Sequence, residues 1–159
     1  MILACMVALG LLLVGTDPAY AQKEATLRGL KGFAAVSVDL ADEPGTRLQA
    51  SRLQTLVELK LRQAGLLDES QQGKLDHAVL SVRVTVVPIL KIGFAASHNV
   101  QVTGLGRAPW GVSGWADWWQ DGGVFTASTE TMVDQTERAI TQTMDKFLND
   151  YYKTNPPRR

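Results

Sequence analysis

The strongest constraint on the fold of this chain is an alternation of apolar and polar residues through His77–Val87. Alternate positions of a strand point to opposite faces of a sheet, so one set of side chains is directed to the core. That set comprises Leu80, Val82, Val84 and Val86. Phe94–Leu105 alternates in the same way after a short connection, which predicts an antiparallel pair of strands.

Two helices are predicted, one on each side of this strand pair in the sequence. The apolar face of the first recurs at steps of three and four residues, at Leu53, Leu56, Val57, Leu61 and Ala64. Gly65 is suited to end this helix because glycine adopts the left-handed conformation at low steric cost. The second helix is predicted from Thr129 to Tyr152, with an apolar stripe of the same period.

Two further strands complete a predicted order of β-α-β-β-β-α. Gly32–Leu40 is an apolar strand before the first helix, and Val112–Val124 is a strand or hairpin with Asp121–Gly123 as its turn. Strands outnumber helices, and the later strands are consecutive. We therefore expect an α+β fold of two layers, in which two helices cover one face of a largely antiparallel sheet.

The start of the chain is not expected to belong to this fold. An apolar run, Ile2–Gly15, is followed by Pro18 and then by the small-x-small sequence Ala19-Tyr20-Ala21. This layout is typical of a secretory signal peptide, and the run is shorter than the roughly 20 residues of a membrane-spanning helix. We expect cleavage after Ala21 and a periplasmic or secreted protein. Because no Lys or Arg precedes the apolar run, an uncleaved tail near the membrane is the alternative.

Composition limits the classes of partner and cofactor. Residues 22–155 are predicted to form one domain without a membrane span, and residues 156–159 a disordered tail. The 16 basic and 16 acidic residues balance, so no positive surplus indicates nucleic acid as a partner. Cys5 is the only cysteine and lies in the expected leader, which leaves the mature chain without a thiol. We expect no cofactor and no metal, and the sequence does not determine the oligomeric state.

Three short segments carry a resemblance to known proteins. They are Gly29-Leu30-Lys31-Gly32, the helix end Leu61–Leu66, and Phe147–Tyr151 in the final helix. With the strand pair and the Trp- and Gly-rich segment between them, the chain resembles small exported bacterial proteins of uncharacterised function. The order of elements is similar to that of the N-terminal domain of the Tol-Pal protein TolB. The resemblance implies this fold and a cell-envelope location, and it carries over no catalytic residue.

All four tryptophans lie close together, at Trp110, Trp115, Trp118 and Trp119. If Trp115–Gln120 is a regular strand, then Trp115, Asp117 and Trp119 share one face and Trp118 lies on the other. Exposed aromatic rings beside a carboxylate can stack on a sugar or receive a partner protein. The alternative is that these rings fill the core or cover the edge of the sheet.

The two histidines, His77 and His98, are candidates for acid–base chemistry or metal binding with Asp39, Asp76 or Asp117. No motif of a known hydrolase or metal site accompanies them. We therefore expect a non-enzymatic envelope domain that binds another envelope component through the open face or edge of its sheet. A carbohydrate- or peptidoglycan-binding module that uses Trp115, Asp117 and Trp119 is the alternative, and a small hydrolase is a third reading.

Overall fold

The computed structural model describes residues 27–42, 46–67, 78–89, 93–107 and 113–156. In chain order, the elements are β1 (Phe33–Ala41), α1 (Ala50–Gln63), β2 (Ala78–Ile89), β3 (Gly93–Arg107), β4 (Ser113–Ala127) and α2 (Met132–Thr154). The predicted order and the α+β class are confirmed. The expected leader with Cys5, and the end of the predicted tail, lie outside the described residues.

The four strands form a single sheet in the order β1-β2-β3-β4. β1 and β2 are parallel and are connected through α1, whereas β2, β3 and β4 are successive antiparallel neighbours. At the centre of the sheet, Val82 lies between Val38 of β1 and Val100 of β3. The antiparallel pairing predicted for the two alternating segments is therefore confirmed, and the sheet has one parallel pair beside it.

Both helices pack on the same face of the sheet, and the core lies between the two layers. The largest fully buried side chains include Trp119, Phe33, Phe147, Leu53, Leu61, Leu80, Ile140 and Met144. The ring of Phe147 lies between two others, with centroid distances of 5.7 Å to Phe33 and 5.3 Å to Trp119. Phe147 of α2 therefore connects the two edge strands, β1 and β4, within one aromatic cluster.

The end of α1 has the backbone geometry that its sequence predicts. Gly65 has a φ of 69°, and its N–H donates to the carbonyl of Arg62 over 3.0 Å. The N–H of Leu66 donates to the carbonyl of Leu61 over 2.8 Å. These two bonds form a Schellman motif, which satisfies carbonyls at the helix end that have no partner within the helix.

The outer surface of the helical layer is polar and is linked by ion pairs. Arg52 of α1 pairs with Glu137 of α2, and Lys60 pairs with Asp145.

Among the described residues, neither helix combines the length and apolarity that a membrane span needs.

The turn predicted at Asp121–Gly123 is wrong, because β4 continues through these residues. They pair with β3 in order, and Gly122 lies opposite Asn99. A Cβ atom at Gly122 would lie 2.1 Å from the carbonyl oxygen of His98. The close approach of the two backbones, and not a change of chain direction, requires glycine at this position.

Candidate functional site

One face of the sheet is covered by helices, and the opposite face, here called the open face, is not. Alternation along the strands places polar side chains there, including Ser37, Asp39, Ser81, Arg83, Asn99, Gln101, Thr103 and Asp117. Neighbouring strands are connected across this face by a hydrogen bond between Ser37 and Ser81 and by the Arg83–Asp39 ion pair. The open face is therefore suited to contact with water or with a polar partner.

The three residues predicted to form an exposed aromatic face are divided between the two sides of the sheet. Trp115 is 59% exposed, and Asp117 is also exposed, on the open face. Trp119 is only 2% exposed, and its Nε1 donates to Oδ2 of the buried Asp150 over 3.1 Å. The expectation that Trp119 shares a face with Trp115 and Asp117 is wrong. Trp110 lies outside the described residues.

A β-bulge explains this division. Val102 of β3 pairs with Trp119, but the next residue, Thr103, pairs with Asp117, which leaves Trp118 as an extra residue in β4. Because the side-chain period of a strand is two, one extra residue moves the rest of the strand to the other face. Trp119 is thereby directed into the core.

The extra residue, Trp118, lies against a strip of glycine in β3. A Cβ atom at Gly104 would come within 2.6 Å of the Trp118 ring, and one at Gly106 would lie 3.8 Å from its Nε1. Both glycines lie within β3 and leave space for the indole. A pattern of small residues facing an aromatic run is the only sequence signal of this packing.

Trp115 is the one tryptophan with a largely exposed ring among those that the structure describes. It pairs across the strands with Leu105, which is also exposed, and Asp117 pairs with Thr103 beside it. This end of the open face thus offers a single indole with one carboxylate close to it along the strand. An indole face of this kind can stack on an apolar group or on a sugar ring.

β4 forms one edge of the sheet. Beyond the bulge, Trp119–Ala127 pairs regularly with β3 on one side, and no described strand pairs with it on the other. We call its second part, Gly122–Ala127, the β4 edge. It contains neither proline nor lysine, and Val124 at its centre is 78% exposed. Natural sheets commonly protect such edges with charge, proline or bulges, because an unpaired strand offers backbone donors and acceptors to another chain.

A pocket of about 350 Å³ lies between the β4 edge and α2. β4 contributes Gly123, Val124 and Phe125, α2 contributes Gln135, Arg138, Ala139 and Gln142, and β3 contributes His98. The four α2 residues recur at helical spacing and form one stripe. Arg138 and Gln142 were not predicted as site residues from the sequence. Residues three and four apart on a helix share a face, so the spacing of Gln135, Arg138 and Gln142 is a signal of this polar stripe.

His98 lies beneath this pocket and is 9% exposed. Its Nε2 lies 2.9 Å from Oγ1 of Thr143, whereas its buried Nδ1 has no hydrogen-bond partner among the described residues. Burial lowers the pKa of His98, and this outweighs the opposite effects of nearby Asp121 and the Gly123 backbone. The imidazole is therefore neutral near pH 7.

The structure does not place a carboxylate in position to orient His98 for catalysis. Asp39 and Asp117 lie on the open face, on the other side of the sheet from His98. Asp121 is closer, but it forms an ion pair with Lys146. His77 and Asp76 lie outside the described residues. Within the described part of the chain, no group of three His, Cys, Asp or Glu residues is arranged to hold a metal ion.

Comparison with known proteins does not assign a family. No family model matches the chain, and no curated protein matches it in sequence. One similar solved structure is a dodecamer of a PelC variant from Paraburkholderia phytofirmans, with 14% identity over 72% of this chain and 85% of that chain and a TM-score of 0.44. Another is a minor lipoprotein from Acinetobacter baumannii, with 13% identity over 80% of this chain and 96% of that chain and a TM-score of 0.33.

These similarities are low in both sequence and structure. With TM-scores of 0.44 and 0.33, neither supports a function for this chain. Neither of these two structures is a TolB domain, so the similarity to TolB stays an expectation from the sequence.

Proposed function

We propose that this chain is a non-enzymatic domain of the cell envelope that binds another protein by adding a strand of that protein to the β4 edge. The observation that carries the proposal is the outer side of Gly122–Ala127, with which no described strand pairs. Strand addition gives affinity through backbone hydrogen bonds and needs no deep cavity. The envelope location in this proposal depends on the leader predicted at Ile2–Ala21.

β4 is a better candidate for strand addition than β1, at the other edge of the sheet. The first residue of β1, Phe33, already pairs with Leu67, and its N–H donates to the carbonyl of Leu66 over 2.8 Å. The β1 edge is therefore partly covered at its start, whereas no described strand pairs with the β4 edge.

Site-specific photo-crosslinking in cells that express the full chain tests this proposal. A photoreactive amino acid at Thr126, exposed on the β4 edge, should give an adduct with one partner protein. The same amino acid at Leu59, exposed on α1, should not give that adduct. An equal yield at both positions, or none at Thr126, contradicts strand addition at β4.

A matched pair of lysine substitutions then tests whether the edge itself is needed. Val124→Lys should abolish the adduct because lysine on an edge strand opposes pairing with another chain. Val87→Lys should preserve it, since Val87 is also exposed on the open face but lies in β2, which β3 separates from the β4 edge. If both variants retain the adduct, the partner does not occupy the β4 edge.

Carbohydrate or peptidoglycan binding at Trp115 is a second candidate, favoured by the exposure of this indole beside Asp117. The burial of Trp119 removes one of the two rings that the sequence assigned to such a surface. Sedimentation with purified cell-wall sacculi distinguishes the two candidates. A glycan-binding surface predicts that Trp115→Ala releases the protein from the pellet and that Val124→Lys does not.

A further inference from the structure

The pocket beside Gly123 opens where a partner strand would lie. It is formed between the β4 edge and the α2 stripe of Gln135, Arg138, Ala139 and Gln142. Side chains on a strand paired with β4 would alternate between the open face and this helical side. Every second residue of an added strand would therefore point toward α2.

Gly123 identifies which position of an added strand reaches the pocket. Gly123 pairs with His98 on β3, and paired residues direct their side chains to the same face of a sheet. A partner residue opposite Gly123 on the outer side would thus point to the helical side. Because Gly123 has no side chain, it leaves space there, whereas a Cβ atom would lie 3.3 Å from Cε1 of His98.

The charge of the pocket indicates the type of side chain that fits. Arg138 is exposed and has no ion-pair partner in the part of the chain that the structure describes. Gln135 and Gln142 line the same pocket and supply amide groups. None of the residues that line it is acidic, and the nearby Asp121 pairs with Lys146. The pocket therefore offers a guanidinium group and two side-chain amides as hydrogen-bond donors, and no carboxylate is among its lining residues.

We infer that the partner strand presents an acidic side chain opposite Gly123, and that Arg138 receives this carboxylate. The inference rests on the proposed strand addition at the β4 edge and specifies the chemistry of the partner. Backbone pairing would supply most of the affinity. The contact with Arg138 would select the register, because only one position of the added strand lies opposite Gly123.

Selection from a phage-displayed library of random peptides tests the inference on the full chain. The peptides should be about nine residues long, enough to span the β4 edge at roughly 3.3 Å per residue. We expect Asp or Glu to be enriched at one position, by up to about fivefold for a partly exposed ion pair. Arg138→Glu should change that preference to Lys or Arg.

A charge reversal of the same kind on the open face is the control. Arg83→Glu removes an exposed arginine on β2, away from the β4 edge, and should leave the acidic preference unchanged. Peptides that lose binding to Val124→Lys but show no acidic preference would overturn the inference and leave strand addition in place. Peptides that bind Val124→Lys equally well, or a library without selected peptides, would overturn both.

Discussion

At the residue scale, the strand register determines whether a tryptophan of β4 is buried or exposed. Trp115 and Trp119 lie in the same strand, yet one is exposed and the other is among the largest fully buried side chains. The bulge at Trp118 makes this difference. Their energetic roles should differ accordingly.

Trp119→Ala should reduce the free energy of unfolding by about 3–5 kcal/mol, because it removes a large core ring. It also removes the Nε1 donor to the buried carboxylate of Asp150. Trp115→Ala should change the free energy of unfolding by less than about 0.5 kcal/mol, as is usual at exposed positions. Urea unfolding followed by circular dichroism measures both, and similar losses in the two variants would contradict the assignment of faces.

His98 should make the stability depend on pH. Its pKa in the folded protein is lowered by burial, so the unfolded chain binds a proton more readily than the folded one. This contribution to stability is fully present above the ordinary histidine pKa, about 6.5, and is lost as the pH falls toward the folded pKa. We expect the urea midpoint to decrease from pH 7.5 to pH 5.5.

A variant of His98 assigns this effect. His98→Gln should flatten the dependence of the urea midpoint on pH over the same range, even if it lowers the midpoint overall. A His98→Gln profile as steep as that of the unmodified protein would show that another group titrates.

At the element scale, β4 is held to β3 by close backbone contact at Gly122. Gly122→Ala places a Cβ atom against the His98 carbonyl oxygen, so the two strands must separate locally. We expect a loss of about 1–3 kcal/mol in the free energy of unfolding, as for other overpacked sites. Gly114→Ala in the same strand is the matched control, since nothing lies within 4 Å of the added Cβ, and it should cost much less.

Thermal unfolding of the two alanine variants provides the comparison. A Gly122→Ala protein with the same melting temperature as Gly114→Ala would mean that β3 and β4 are not in close contact at this point. Amide hydrogen exchange in β4 would then also be unchanged, whereas the predicted separation increases exchange around Asn99 and Gly122.

The sequence predicted the elements with strong periodicity better than the details of β4. The alternation at His77–Val87 and the stripe through Leu53 and Leu61 identify a strand and a helix, because a buried face repeats with the period of its element. The course of β4 depends on pairing with β3. Neither the bulge at Trp118 nor the extended glycines at Gly122 and Gly123 is determined by local composition.

The candidate site was predicted only in part for the same reason. The order of the elements correctly predicts a sheet with helices on one face, and Trp115 with Asp117 lies on the other face. The pocket at Arg138 and Gly123 joins residues from α2 and β4 that are close only in three dimensions. Only the packed structure brings such residues together.

At the scale of the whole molecule, the connections between strands imply an order of assembly. β2, β3 and β4 are neighbours both in sequence and in the sheet, so each can pair with the strand that precedes it. β1 pairs in parallel with β2 only after α1 has returned the chain across the sheet. Contacts between distant segments form later because closing a longer loop costs more entropy.

A growing chain emerges from the ribosome with its N-terminus first, so β1 is synthesised before the strand that it needs. Until β2 has followed, the apolar side chains Val36, Val38 and Leu40 have no sheet to pack against. The parallel pair therefore cannot form until the chain has been synthesised through β2, which ends at Ile89. For the exported protein that we propose, this order of synthesis keeps the early segments open to chaperones.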